Sequence, residues 1–185
     1  MIRINTPLTE KAAVSLNAGD LVELSGQIYA ARDAAHSRLI EMLKRGEKLP
    51  FDIKDQVIYY VGPCPPPPGK ICGSAGPTTS GRMDVYTPAL LKIGLKGMIG
   101  KGIRDVSVKK AITEHKAVYF GATGGAGALI SRCITAAEIV AFDDLGPEAL
   151  LRITVSRFPL IVIIDSRGND LYETGRKKYA GISCS

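Results

Sequence analysis

The sequence predicts an α/β domain with strands and helices in mixed layers, on three observations. Short apolar runs patterned at period two alternate along the chain with segments that carry an apolar stripe at helical spacing. The 185 residues, 45% hydrophobic and 23% charged, suffice for one core of ordinary composition, so residues 1–185 are read as a single domain. No apolar run approaches the roughly 20 residues of a membrane helix. The longest, Leu160-Ile161-Val162-Ile163-Ile164, reads as a buried strand.

Residues 20–31 read as a strand because Val22, Leu24, Gly26 and Ile28 share one face at period two, with a Gly19-Asp20 turn before them. Residues 33–44 read as a helix in which Leu39, Ile40 and Leu43 form the apolar stripe. Asp33 is placed to cap its start, and Gly46 follows its end. Residues 56–61 read as a second strand. Gly62-Pro63-Cys64-Pro65-Pro66-Pro67-Pro68-Gly69 is a stiff extended loop, because four consecutive prolines exclude helix and central strand. It is read as a loop within one domain rather than a linker, since each flank would be short for an independent domain. Thr87-Pro88 opens a short helix reaching Lys92, proline being tolerated in a first turn. A strand is expected over residues 96–99, a helix over 105–115 and a strand over 117–120. A glycine-rich loop follows at 123–127, then a strand near 138–142 and a helical turn at 147–151. The buried strand at 160–165 and a turn at 166–169 come last.

The formal charge is +6, yet the basic residues are scattered and no block of five occurs; Arg176-Lys177-Lys178 is the densest cluster. That pattern argues against nucleic acid and leaves an anionic small molecule or an acidic partner. Cys64, Cys72, Cys133 and Cys184 form no CxxC pair, so a zinc or cluster site built by this chain alone is not expected, and all four are read as free thiols. The start of the chain lacks the long apolar stretch of an export signal, so the expected location is cytoplasmic.

Three segments carry candidate chemistry. Gly76-Pro77-Thr78-Thr79-Ser80-Gly81-Arg82-Met83-Asp84 presents hydroxyls and a guanidinium on a tight loop, a combination suited to a carboxylate or phosphate; the plain alternative is a capped turn with a solvated arginine. Lys101 lies between Gly100 and Gly102, where the backbone can approach a ligand; the alternative is an exposed loop lysine. Arg32-Asp33-Ala34-Ala35-His36 sits where a strand becomes a helix. Arg32 could meet an anion there and His36 could move a proton near neutral pH, or Arg32 could pair with a carboxylate while His36 simply packs. The loop Gly121-Ala122-Thr123-Gly124-Gly125-Ala126-Gly127 does not fit G-x-G-x-x-G, so dinucleotide binding is disfavoured.

Taken in order, Ala31-Arg32-Asp33-Ala34-Ala35-His36, Gly76-Pro77-Thr78-Thr79-Ser80-Gly81-Arg82-Met83, Gly100-Lys101-Gly102 and Phe158-Pro159-Leu160-Ile161-Val162, with Asp165 and Gly168 after it, span nearly the whole chain. They make it resemble the beta subunit of the class I, iron–sulfur-dependent fumarate hydratase and L-tartrate dehydratase family, a unit that forms the C-terminal domain of fused members. The resemblance implies a three-layer, swivelling β/β/α domain. It implies a hydro-lyase that reversibly hydrates fumarate to L-malate, or the corresponding L(+)-tartrate dehydratase, active only with an alpha subunit. It places Arg32, Arg82 and Lys101 on the substrate carboxylates, Thr78 as the base that removes the C3 proton, and His36 as a further catalytic candidate. It also implies a [4Fe–4S] cluster held by the partner alpha subunit and none held by this chain, in a hetero-oligomer such as α2β2. Cys64 and Cys72 do not match the ligand cysteines of that family.

Elementary chemistry fits this expectation. Removing a proton next to a carboxylate builds negative charge there, and fixed cations lower the barrier. A threonine hydroxyl is a poor base at neutral pH and needs such cations to stabilise its alkoxide. The competing class is a stand-alone anion- or nucleotide-binding module built on the two glycine-rich loops.

Overall fold

A computed structural model describes residues 1–179. Cys184 lies outside the described residues. The chain runs β1 (Ile2–Asn5), α1 (Glu10–Ser15), β2 (Leu21–Ala30), α2 (Asp33–Lys44) and β3 (Val57–Tyr59), then a 3-10 turn at Ser80–Met83. It continues through α3 (Thr87–Lys92), β4 (Gly97–Gly100), α4 (Val106–Glu114), β5 (Val118–Gly121) and α5 (Gly127–Ile130). After a 3-10 turn at Ser131–Cys133 come β6 (Ile134–Ala141), a 3-10 segment at Asp143–Glu148, β7 (Leu150–Ile164) and α6 (Leu171–Tyr179).

All seven of these strands join one sheet, in the order β1-β2-β3-β4-β5-β7-β6. Strands β2 to β5 are mutually parallel, and β7 runs antiparallel to both β2 and β5. The pairings β2–β3–β4–β5–β7–β2 therefore form a closed circuit. The sheet buries both faces. Val22, Leu24, Ile28, Tyr59, Phe120, Phe158 and Val162 fill one core, while Tyr29, Ile58, Tyr60, Met98 and Tyr119 meet α2, α3 and α4 in the other. Alternation of side chains along a strand explains why neighbours such as Ile28 and Tyr29 serve opposite cores.

The expected strand around β2 is present, and its period-two residues Val22, Leu24 and Ile28 are fully buried. Gly26 marks a register shift against β7, and a Cβ there would collide with Thr6 Oγ1. In the α2 stripe Leu39 is fully buried and Ile40 and Leu43 pack against the second core, and Gly46, at φ 70°, follows the helix end. Asp33, however, does not cap α2. Arg32 holds the capping position with no side-chain cap bond, and Asp33 is the first helical residue. The ends of the proline loop are pinned to each other by Cys64 N–H to Ser74 O (2.9 Å) and Gly73 N–H to Cys64 O (3.0 Å).

The turn expected at 147–151 is displaced: the 3-10 segment ends at Glu148, and Leu150 already pairs with β6. Core burial of Leu150 and Ile153 and the ladder with β2 and β6 override the local preference for a helical turn. The last strand is 15 residues long rather than the terminal third alone, and β6 starts four residues earlier than expected. Strand β1 and helices α1 and α6 had no counterpart among the expectations. No helix among the described residues is long and apolar enough to cross a membrane.

Candidate active site at the strand ends

Because β2, β3, β4 and β5 are parallel, their C-terminal ends share one edge of the sheet, the edge where open α/β sheets take ligands. Arg32 follows β2, Gly62 follows β3, Lys101 follows β4, and the glycine-rich loop follows β5. The Thr78 segment joins this edge. Thr78 N–H donates to Tyr60 O (2.8 Å), Thr79 bridges to Lys101, and Ser80 N–H donates to Lys101 O (2.9 Å). Below it, Ser80 Oγ lies 2.9 Å from Tyr119 Oη, which also bonds Gly102 O at 3.0 Å. Gly100 must be glycine for this contact, since a Cβ would strike Ser80 Oγ and the Tyr60 ring.

Arg82 leaves the 3-10 turn that follows. Its Nη2 donates to Asp33 Oδ2 at 3.1 Å. The other carboxylate oxygen, Oδ1, stands 3.7 Å from Arg32 Nε, close enough for an ion pair but too long for a hydrogen bond. Arg32 reaches Glu148 Oε1 with Nη2 at 3.2 Å and lies over Gly62, where a Cβ would come within 2.9 Å of both Arg32 Cδ and Pro147 O. Arg32 and Arg82 thus share one carboxylate although they come from separate segments. Lys101 is exposed, and its ammonium rests beside the glycine-rich loop, 3.8 Å from where a Cβ on Gly124 would stand.

His36 sits beneath this surface with no solvent exposure. Burial, reinforced by the charge of Arg104, lowers its pKa to about 4, so the ring is neutral at pH 7. Nδ1 lies 2.8 Å from Arg32 O; a carbonyl only accepts, so Nδ1 carries the proton. Nε2 has no hydrogen-bond partner, and the ring packs beside those of Tyr60 and Tyr86. The ring therefore supports the Arg32 backbone from inside.

A second layer fixes the turn. Arg104 is buried, pairs with Asp84 at 2.7 Å, donates to Thr87 Oγ1 at 2.9 Å and lies over the Tyr60 and Tyr119 rings. Asp84 also accepts from Asp105 N–H at 2.7 Å, tying the start of α4 to the site. A buried ion pair of this kind demands that both partners be present, because either one alone is an uncompensated charge. Asp84 closes the conspicuous 76–84 string and Arg104 follows Gly102 closely, yet no spacing signal joins them. Glu148 had no signal at all, being 116 residues from Arg32.

Cys64 and Cys72 line one cavity beside the proline loop. Cys64 is exposed, Cys72 and Cys133 are half-buried with thiol pKa values pushed up by burial, and all three are free. Among the described residues no group of three or more His, Cys, Asp or Glu side chains gathers to hold a metal. The donor set for an iron–sulfur cluster is thus not met by the described part of this chain. Cavities of about 550 and 370 Å³ flank the proline loop, and none of Arg32, His36, Thr78, Arg82 and Lys101 lines either.

Comparison with known proteins shows the family of the chain. Residues 1–175 match the family model described as Fumarase C-terminus. The chain is 42% identical over 177 residues to "Putative L(+)-tartrate dehydratase subunit beta" of Methanocaldococcus jannaschii, covering 92% of this chain and 91% of that protein. It is 37% identical over 188 residues to "Fumarate hydratase class I, aerobic" of Salmonella typhimurium, covering 100% of this chain and 32% of that protein. Its identity to the Escherichia coli K12 protein of the same name is 41% over 154 residues, 82% of this chain and 28% of the relative. The chain therefore spans nearly all of the first relative and about a third of the two fumarate hydratases. On the family match and these identities, the chain belongs to the fumarase C-terminus family.

Proposed function

We propose that this chain is the beta subunit of a [4Fe–4S]-dependent hydro-lyase, with the reversible hydration of fumarate to L-malate as the leading reaction. The observation that carries the reading is the convergence of Arg32 and Arg82 on one carboxylate at the strand ends, with Thr78 and Lys101 tied to the same edge by backbone bonds. A dianionic substrate needs at least two cationic clamps, and Arg32, Arg82 and Lys101 supply them. In this reading Thr78 removes the proton adjacent to a carboxylate, and Arg82 and Lys101 stabilise the charge that develops. His36, buried and neutral, holds Arg32 in place rather than exchanging protons with solvent. The cluster belongs to a partner alpha subunit. This chain binds and orients the carboxylates and takes the proton, so it is inactive alone. The single-domain, swivelling β/β/α arrangement, a cytoplasmic location and an α2β2 assembly complete the reading; two cores on opposite sheet faces support the layering.

One observation favours a second substrate, L(+)-tartrate: the relative matched across 91% of its length carries a tartrate dehydratase beta-subunit name. Tartrate differs from malate by one hydroxyl, so the choice rests on contacts beyond the carboxylate clamps. The test is anaerobic co-expression with a candidate alpha subunit, followed by parallel assays on L-malate and L(+)-tartrate. Turnover of either supports the hydro-lyase and identifies its substrate. A cluster-loaded pair that dehydrates neither, together with tight nucleotide binding by the isolated chain, would replace the reading with that of a binding module.

A further inference from the structure

We propose that Asp33 is a positioning residue that fixes the two guanidinium groups of Arg32 and Arg82 relative to each other, so that both face the substrate carboxylates. The inference rests on the dicarboxylate reading above. An aspartate at a helix start ordinarily bonds free backbone N–H groups. Asp33 makes no such bond. Its oxygens are turned sideways instead, Oδ2 accepting from Arg82 Nη2 at 3.1 Å and Oδ1 facing Arg32 Nε at 3.7 Å.

The inner pair is distinctive. Arg32 Nε and Asp33 Oδ1 are both buried, and neither has a hydrogen-bond partner. They are nevertheless within ion-pair range of each other, so a shift of a few tenths of an ångström would turn the contact into a charged hydrogen bond. Buried polar atoms are normally satisfied, so an open donor and an open acceptor facing each other within ion-pair range call for a structural reason. The remaining sides of Arg32 are constrained by Glu148 at Nη2 and by Gly62 against the side-chain stem, which leaves Asp33 as the link to Arg82. Without that carboxylate the two guanidinium groups would repel and their long side chains would regain rotamer freedom.

Asp33→Asn in the reconstituted α/β enzyme separates positioning from charge. Loss of a negative charge by itself favours dianion binding, whereas loss of geometry slows the chemical step. The expected result is a kcat at least about tenfold lower with KM changed by less than about threefold. Asp33→Glu should recover part of the loss, and the Asp33→Asn/Arg82→Gln double variant should be no slower than Arg82→Gln alone. A kcat within about twofold of the parent, or losses that multiply, overturns the proposal.

A second arm uses the full chain without its partner. Thermal-melt cycles of Asp33→Asn against Arg32→Gln and against Arg82→Gln should both be non-additive, and additivity in either overturns the coupling. Asp33→Ser, which also removes the carboxylate, takes the place of Asp33→Asn if that variant fails to fold. A parent pair inactive on both dicarboxylates ends the hydro-lyase reading, while the melts still decide whether Asp33 links the arginines.

Discussion

The two ends of the parallel strands hold similar side chains in opposite states. At the end away from the site, Asp165 is buried and accepts from Ala18 N–H (3.2 Å), Arg167 N–H (2.9 Å), Asn169 N–H (3.1 Å) and Asn169 Nδ2 (2.8 Å). Burial alone would raise its pKa, but these hydrogen bonds outweigh it and hold the carboxyl below the usual value. At the site end, Asp33 accepts a single hydrogen bond, and Arg32 Nε, Asp33 Oδ1 and His36 Nε2 have no hydrogen-bond partner. Ser166 Oγ and Asp170 Oδ2 also lack hydrogen-bond partners at the far end, but Ser166 is uncharged and Asp170 is ion-paired with Lys109. The saturated Asp165 carboxylate holds a loop, whereas Asp33 keeps one oxygen open between two arginines. Asp165 and Asp33, both in segments that point to the family, are thus separated by their partners into architecture and site.

Substitutions can break this contrast. Lys101→Ala should have the largest effect, lowering turnover of the reconstituted pair about 100- to 1,000-fold, as loss of one oxyanion-stabilising donor does, with assembly by gel filtration unchanged. Near-normal rates would remove Lys101 from the site. Asp165→Ala should act in the other direction, costing about 2–4 kcal/mol of unfolding free energy because several donors lose their acceptor, with KM of the assembled enzyme unchanged. Asp165 has a lowered folded-state pKa, so its contribution is present above the unfolded carboxyl pKa and is lost as pH falls through the depressed folded value. Urea melts across the acid range should therefore show a shallower pH dependence in Asp165→Ala than in the parent.

Gly62→Ala sharpens the comparison by pushing on Arg32 without changing a charge. Its Cβ would meet Arg32 Cδ and the Pro147 carbonyl, so kcat/KM should fall about tenfold at a cost of about 1–3 kcal/mol in stability. The smallest effect expected is a silence. The His36 ring signals should stay in the neutral form from pH 6 to 8 by NMR, and the pH–rate profile should show no ionisation from His36 in that range. Because its folded pKa, about 4, lies below the ordinary 6.5, unfolding should become easier as pH falls from about 6.5 toward 4. His36→Gln should flatten that slope, and a ring that titrates near 6.5 would contradict its burial.

Much of the strand-end architecture was readable from local pattern. The face of β2, the stripe of α2, the proline-opened α3 and the short apolar strands β3, β4 and β5 each carry their signal within a few residues. β7 was only partly legible, because Pro159 and polar residues such as Arg152, Ser156 and Arg157 interrupt the apolar pattern, while long pairing with β2, β5 and β6 holds the strand extended. The short β1 and α1 have too few residues for periodicity to register, and Thr9 caps α1 with only one buried residue in the helix. In the candidate site, Thr78, Arg82, Lys101 and Arg32 stood out through their glycine-rich or strand-to-helix settings. Asp33 was read as a cap because its position in sequence is a capping position, and only the arrival of Arg82 from 49 residues away gives its carboxylate another partner.

The sequence by itself determined the types and order of most elements, the loops that carry cations and hydroxyls, and the family to which the chain belongs, because these are set by side-chain period, backbone restriction at proline and glycine, and short strings of residues. The tertiary structure alone decided that Asp33 joins two arginines, that Glu148 reaches Arg32, that Asp84 neutralises Arg104 and that His36 is dry. Those outcomes depend on which atoms meet across the fold and how little water remains between them, and neither contact nor desolvation is written in the spacing of residues along a chain.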